Sequence, residues 1–232
     1  MKLNQSGFTL IESAIVLAVA SLLISATIKG QEVINSTKVK ELSVDFKNIS
    51  LFIYGYQDKF KALPGDDAKA AAHVGASSAG NGNGALSGNW NSTSISDETY
   101  LFWQHVRLAG FVTGTSDSAA ADYQPTNALG HAIGIQSGSN CTAVGVPNAG
   151  CTASNLTAIK DASGNAIRGA FVFCSTGILG KYVKQLDITM DDGNTDSGAM
   201  MATPTAHHVN GAAATATNAI DDATQYDVCM SI

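Results

Sequence analysis

The start of the chain is a nearly unbroken run of apolar residues. Residues 8–28 are apolar except for five small hydroxyl side chains and one carboxylate, Glu12. A run of about 20 such residues is the length that an α-helix needs to cross a bilayer. Small hydroxyl side chains can bond back to carbonyl groups of their own helix, so they fit such a span. The pattern therefore predicts a membrane-spanning helix that carries one carboxylate near its first turn.

A second helical pattern follows, with apolar residues at alternating steps of four and three. This spacing places them on one face of a helix. Pro64 restricts the residue before it and Gly65 breaks the pattern, so the helix is expected to end at Leu63. Gly30 alone weakens a helix by about 1 kcal/mol, which leaves local melting there open. The stripe consists of Leu42, Phe46, Ile49, Ile53, Tyr56, Phe60 and Leu63.

The remaining residues predict an α+β head. Residues 75–93 are rich in Gly, Ser and Asn and predict an exposed loop with Trp90 as its anchor. In the next helix, His105 and Arg107 are expected to be solvated. An antiparallel β-sheet packed on the long helix is the simplest architecture that buries both. The predicted short helices are 68–72 (capped by Asp66 and Asp67), 96–109 (capped by Ser96 or Asp97) and 179–188, and the predicted strands are 132–135, 166–174 and 227–231.

Composition narrows the possible functions. Charged residues make up only 14% of the chain, glycines number 23, and the formal net charge is −6. A dedicated nucleic-acid surface usually shows clustered Lys and Arg, and none is evident here. No nucleophile elbow, phosphate-binding loop or zinc-protease motif occurs in the sequence. The chain is therefore expected not to be an enzyme.

Four cysteines occur in the part of the chain that follows the apolar run. An even number of cysteines outside the cytoplasm indicates disulfides, with three possible pairings. Cys141 and Cys151 flank a loop rich in Gly, Pro and Asn and form the easiest local pair, which leaves Cys174 with Cys229. Free thiols and a metal site are the alternatives. The sequence contains no C-x-x-C spacing, which would favour a metal.

One acidic segment near the end of the chain is a candidate cation site. Asp191, Asp192, Asn194 and Asp196 offer oxygen ligands around Gly193, which suits a hard cation such as calcium. The segment lacks the full twelve-residue EF-hand pattern. The alternative is a tight turn in which Asp and Asn side chains accept local backbone amides. The adjacent His207 and His208 could suggest a transition-metal site, but neighbouring side chains on a strand point apart. They are therefore interpreted as loop residues.

The carboxylate of Glu12 calls for an explanation, because a charge in a membrane helix costs about 2.5–3.5 kcal/mol on insertion scales. A signal peptide cut near Ala18-Val19-Ala20, an ordinary anchor and a buried core helix are three interpretations. The fourth rests on Gly7-Phe8-Thr9-Leu10-Ile11-Glu12. This segment resembles the prepilin cleavage and methylation motif of type IV pilins and type II secretion pseudopilins. The aromatic helix end before Leu63-Pro64-Gly65-Asp66 also resembles a pilin-like subgroup.

The resemblance implies how the N-terminus is processed. Prepilin peptidase would remove residues 1–7 by cutting between Gly7 and Phe8, and Phe8 would be N-methylated. Glu12 would pair with the amine of Phe8 on a neighbouring subunit. Breaking such a buried pair is strongly destabilising even where the pair adds little stability. The implied domains are the leader 1–7, a membrane or filament-core half-helix 8–29, an amphipathic half-helix 30–63 and the head 64–232.

The resemblance also implies a structural function. The likeness is to a subunit of a bacterial type IV pilus, inserted in the inner membrane and then polymerised with other pilin subunits into an extracellular filament. Such filaments serve adhesion, motility, aggregation or DNA uptake. A type II secretion pseudopilin, whose short filament spans the periplasm, is the alternative. A membrane-anchored periplasmic domain that forms no filament is the second alternative. No cofactor is expected apart from the calcium considered above.

Overall fold

The computed structural model describes residues 9–142, 152 and 155–232. The chain divides into two compact units, Met1–Lys38 and Val39–Ile232. The first unit consists, in its described part, of the beginning of helix α1. The second unit contains the rest of that helix and all other elements. The fold is α+β, with a long N-terminal helix and an antiparallel sheet of four strands, as predicted.

Helix α1 spans Leu10–Phe60 and is continuous through Gly30. It ends three residues before the predicted Leu63. Lys61 adopts a left-handed conformation with φ 54°, and its amide bonds to the carbonyl of Gln57. A residue in this conformation closes a helix C-terminus. The cap that ends α1 is therefore Lys61, and Leu63 belongs to the turn that follows.

The buried face of α1 matches the predicted stripe. Leu42, Phe46 and Tyr56 are fully buried, and Ile49 and Ile53 are nearly so. Leu42, Phe46, Ile49 and Ile53 form one hydrophobic core with the sheet and with helix α3, Glu98–Leu108. Burial contributes about 25 cal/mol per Å² of apolar surface, so this stripe is a main source of head stability.

The main sheet is antiparallel, with the strand order β1-β3-β6-β4. Its strands are β1 Ile133–Ser137, β3 Phe171–Leu179, β4 Met200–Pro204 and β6 Gln225–Ser231. A second sheet pairs β2, Ile159–Lys160, in parallel with β5, Ala212–Ala213. The pattern analysis did not predict β2, β4 or β5.

The strand predicted at 166–174 starts later than expected. β3 begins only at Phe171, because the preceding segment turns toward the small sheet. Ala166 forms a bridge with Lys160, and the Ile167 amide bonds to the Ile159 carbonyl. Ile167, the buried apolar residue of this segment, packs in a different cluster from most of β3.

The shorter helices also differ at their ends. α2 spans Ala70–Val74 instead of 68–72, and no side chain caps it. The carboxylate of Asp67 bonds to the Lys69 amide, one residue before the helix. α3 begins at Glu98 without a side-chain cap from Asp97, because that carboxylate accepts the hydroxyl of Ser92. α4 spans Gly180–Met190.

Cys174 and Cys229 lie directly opposite each other on β3 and β6 and form a disulfide, in agreement with the predicted pairing. Both are fully buried. The bridge joins positions 55 residues apart. The pairing predicted for Cys141 involves Cys151, which lies outside the described residues, and it stays a prediction.

We expect replacement of both Cys174 and Cys229 by alanine to lower the free energy of unfolding by about 4 kcal/mol. The estimate is the chain entropy that a loop of this length regains when the bridge is absent. Urea unfolding of the full chain in detergent micelles measures the change. The matched control replaces Cys141 and Cys151 by alanine, which would open only a short loop. An effect of the control equal to that of the first variant would contradict the entropic explanation.

Candidate functional site

The first turn of α1 holds the carboxylate that the sequence singled out. Oε2 of Glu12 accepts the Thr9 amide at 2.9 Å and the Thr9 hydroxyl at 2.7 Å. The Thr9 hydroxyl in turn accepts the Glu12 amide at 3.3 Å. This is a capping box, in which side chains satisfy amides that the helix itself leaves unpaired. Gly7 and Phe8 lie outside the described residues.

The helix beyond this cap exposes apolar side chains on all sides. Ser21 and Thr27 bond back to carbonyls of their own helix, as predicted for a membrane span. By length and composition, α1 is apolar enough to cross a bilayer. Such a surface needs a cover of lipid or of other helices. The large exposed side chains in this part are Leu10, Ile11, Ile15, Val16, Leu17, Val19, Leu22, Leu23, Ile24, Ile28, Val33 and Ile34.

In the head, the polar groups concentrate around the turn that follows α1. Asp66 is 3% exposed, and its carboxylate accepts three backbone amides of one loop. The donors are Gly82 at 2.7 Å, Asn83 at 3.1 Å and Gly84 at 2.7 Å. Successive amides that converge on one acidic group form an anion-binding nest. The loop, which was predicted only to be exposed, is therefore held in place by the buried carboxylate of Asp66.

Glu98 holds the same loop from α3. Its two oxygens accept the Asn81 amide at 2.8 Å and the Ser87 amide at 2.9 Å. Glu98 is also 3% exposed, so both carboxylates that bind the loop are buried. Trp90 is buried, as its predicted role as an anchor requires. Sequence reasoning missed the loop contacts because the two acids are far from the loop along the chain.

Asp67 is the centre of a second network. It accepts the Tyr56 hydroxyl at 2.8 Å and lies 2.6 Å from Nδ1 of His73. Burial raises the pKa of Asp67, but its hydrogen bonds, with that of His73 foremost, outweigh burial and lower the pKa. The buried hydroxyl of Tyr56 has a raised pKa, from burial first and then from Asp67. Asp67 is therefore an ionised acceptor.

The prediction that His105 and Arg107 are solvated is wrong. His105 is fully buried; its Nδ1 accepts the Gly65 amide at 2.9 Å and its Nε2 lies 3.0 Å from the Ser78 carbonyl. These roles require the neutral ring, and burial lowers the pKa of His105. Arg107 donates to the carbonyls of Thr115 and Tyr123. Distant carbonyls, which no local pattern reveals, make these burials favourable.

A buried histidine–aspartate contact lies elsewhere in the head, between the predicted loop at His208 and the predicted strand that begins at Asp227. Nδ1 of His208 is 3.0 Å from Asp227 on β6, and both side chains are at most 5% exposed. Burial raises the pKa of Asp227, but hydrogen bonds from His208 and two threonine hydroxyls outweigh it and lower the pKa. Within the described residues, no hydroxyl or thiol is hydrogen-bonded to His208 or His73.

The acidic segment predicted as a possible calcium site forms turn contacts. Oδ2 of Asp191 accepts the Ala199 and Met200 amides at 2.6 and 2.9 Å. Asp192 accepts the Asn194 amide at 2.9 Å. Among the described residues, no group of three or more His, Cys, Asp or Glu is arranged to hold a metal ion. Calcium binding by this segment, including Asp196, stays a prediction.

Asp187 on α4 is an acid that the sequence did not single out. It is 1% exposed, and neither carboxylate oxygen has a hydrogen-bond partner among the described residues. Burial raises the pKa of Asp187 to about 6, and the charges of Asp191 and Asp192 act in the same direction. The folded head therefore retains a proton on this acid at pH values where an exposed aspartate has lost it.

We expect Asp187→Asn to stabilise the head at about pH 7 and to have much less effect at about pH 4. Between 3.8 and about 6 the folded state holds a proton that the unfolded state releases, so stability falls as the pH rises through this range. The gain at neutral pH is at most about 3 kcal/mol. Urea unfolding at the two pH values measures it. Asp196→Asn, in the segment that follows α4, is the control. Equal effects of Asp187→Asn at both pH values would contradict the assignment.

Comparison with known protein families identifies a motif in the N-terminal segment. Residues 2–28 match the family model described as the prokaryotic N-terminal methylation motif. No curated protein and no solved structure matches the chain. The motif implies processing by prepilin peptidase and pilin-type assembly, and with the apolar helix it indicates a membrane anchor with a globular domain outside. This chain carries the hallmark motif of the type IV pilins and pseudopilins, which supports assigning it to that general class.

Proposed function

We propose that this protein is a structural, non-catalytic subunit of a bacterial type IV pilus. The observation that carries the proposal is the methylation motif at residues 2–28, followed directly by an exposed apolar helix. Prepilin peptidase cuts between Gly7 and Phe8, and Phe8 is then N-methylated. The mature subunit is anchored in the inner membrane and then polymerises through its N-terminal helix.

The exposed apolar surface of the first unit supports polymerisation. No element of the described chain covers the side chains between Leu10 and Ile34. The bilayer covers them before assembly, and helices of other subunits replace the lipid in a filament. Lipid is as apolar as leucine, so this exchange gains little from hydrophobicity and depends on packing and polar contacts.

Glu12 is the polar contact that the exchange requires. Both donors from Thr9 reach Oε2, so Oε1 accepts no hydrogen bond from the described residues. That oxygen is open to an ammonium group. In the proposed filament, the donor is the methylated amine of Phe8 on a neighbouring copy. An ammonium and a carboxylate that meet in apolar surroundings fix the register of the two helices.

A type II secretion pseudopilin is the competing function, because its N-terminal motif is of the same kind. The size of the head and its loop rich in Gly, Ser and Asn support the pilus. Electron microscopy of fibres sheared from cells, with the subunit identified by mass spectrometry, separates the two. Long surface fibres that contain this chain support the pilus. Absence of such fibres, together with loss of protein secretion on deletion of the gene, would favour the pseudopilin.

Mass spectrometry of the mature N-terminus tests the processing step. We expect a chain that begins with N-methylated Phe8 in cells that contain prepilin peptidase. The matched control is a strain without that peptidase, in which Met1–Gly7 should be retained. Retention of the leader in both strains would reject the filament function and support a plain anchored domain.

We expect Glu12→Ala to abolish filaments while membrane insertion persists. The variant removes the only carboxylate in the apolar span, so insertion becomes easier and the contact with the neighbouring amine is lost. Glu32→Ala, which removes the next acidic side chain along the same helix, is the matched control and should assemble. Membrane fractionation and fibre yield are the two readouts. Normal fibres from the Glu12 variant would exclude the pairing role.

A further inference from the structure

The loop above Asp66 contains a chemically reactive sequence. Asn81-Gly82 and Asn83-Gly84 are consecutive asparagine–glycine pairs, and Asn210-Gly211 is the third such pair in the chain. In these pairs the glycine nitrogen can attack the asparagine side-chain carbon. The N–H proton is lost, ammonia leaves, and a cyclic imide forms. Water then opens the imide to aspartate or to isoaspartate. Glycine favours the attack because it has no side chain to obstruct it.

Burial does not protect the first two pairs from the reaction. Residues 81–85 are all exposed, so water reaches both asparagines. The nucleophilic nitrogens, however, are not free. The Gly82 and Gly84 amides each donate to the Asp66 carboxylate at 2.7 Å. Short bonds to an ionised acceptor are about twice as strong as neutral ones.

The asparagine side chains are held as well. Oδ1 of Asn81 accepts the Asn83 amide at 3.0 Å, and Oδ1 of Asn83 accepts the Ala85 amide at 2.9 Å. The attack requires the glycine nitrogen to lose its proton and turn toward the side-chain carbon. Both changes require the bond to Asp66 to break. A negative charge beside the N–H also makes loss of its proton less favourable.

We propose that Asn81 and Asn83 are latent deamidation sites and that the Asp66 carboxylate suppresses the reaction by holding both glycine amides. Opening of the loop releases the glycine amides from Asp66, and the reaction then makes the opening permanent. Each product adds a negative charge next to two buried carboxylates, Asp66 and Glu98. Isoaspartate also lengthens the backbone, so the amides no longer converge on Asp66.

The first test needs no variant. The full chain is incubated at mildly alkaline pH, once folded in detergent micelles and once unfolded and reduced in urea. Peptide mass spectrometry then follows the conversion of each asparagine, and the Asn210-Gly211 peptide reports the reactivity of an unfolded pair in urea. We expect Asn81 and Asn83 to react about 10- to 100-fold more slowly in the folded chain, the factor for breaking one charge-assisted bond. Equal rates, or faster reaction in the folded chain, would overturn the proposal.

Two variants then separate Asp66 from general loop order. Asp66→Asn should accelerate the reaction at Asn81 and Asn83 in the folded chain. Glu98→Gln is the matched control, because Glu98 holds the Asn81 and Ser87 amides but neither glycine amide. Its rates should stay at those of the unmodified chain. Equal acceleration by both variants would reject the specific role of Asp66. Circular dichroism verifies their folding, and the comparison with urea decides the proposal if either variant unfolds.

Discussion

The loop over residues 81–87 of the head depends on two buried carboxylates, and its own backbone amides are the donors that meet them. A buried charge without donors is very unfavourable, and a loop of Gly, Ser and Asn has few apolar side chains to anchor it. Asp66 and Glu98 resolve both difficulties at once. Five loop amides donate to these two acids. The turn after α1 supplies one acid and α3 supplies the other, so the position of the loop depends on both elements.

The same dependence explains which parts of the fold the sequence reveals. The stripe of α1 is a local pattern, because its period is set by the helix alone, and its burial follows the predicted spacing from Leu42 to Tyr56. Helix α4 and the last strand could be predicted for the same reason. Strand β4 could not be predicted, because its place in the sheet comes from pairing with β6 and not from its own residues. Pro204 at its end further obscures it, since proline is usually read as a strand breaker.

The candidate site divides in the same way. The N-terminal motif is contiguous, so the residues around Glu12 can be recognised without a structure. The polar networks of the head join positions far apart in the sequence. His105, for example, accepts a hydrogen bond from the amide of Gly65, 40 residues away. A polar side chain in a helix is normally assigned to solvent, and only the presence of a distant partner reverses that assignment. His105 and Arg107 are therefore not predictable from local patterns, and neither is Asp187, which is buried without a hydrogen-bond partner among the described residues.

The first unit obeys a different rule, because its surroundings and not its own fold must stabilise it. Within the described residues its apolar surface has no internal partner, yet the carboxylate in the first turn of α1 is satisfied locally by Thr9. A capped carboxylate costs less to place in a bilayer than a bare one, since part of its hydration is replaced. A neighbouring subunit must therefore offer more than the cap already supplies. In the proposed filament, only a free N-terminal amine in the correct register does so, and an uncleaved chain has none at this position. In that filament, cleavage would select mature subunits for assembly through the same carboxylate that aligns them.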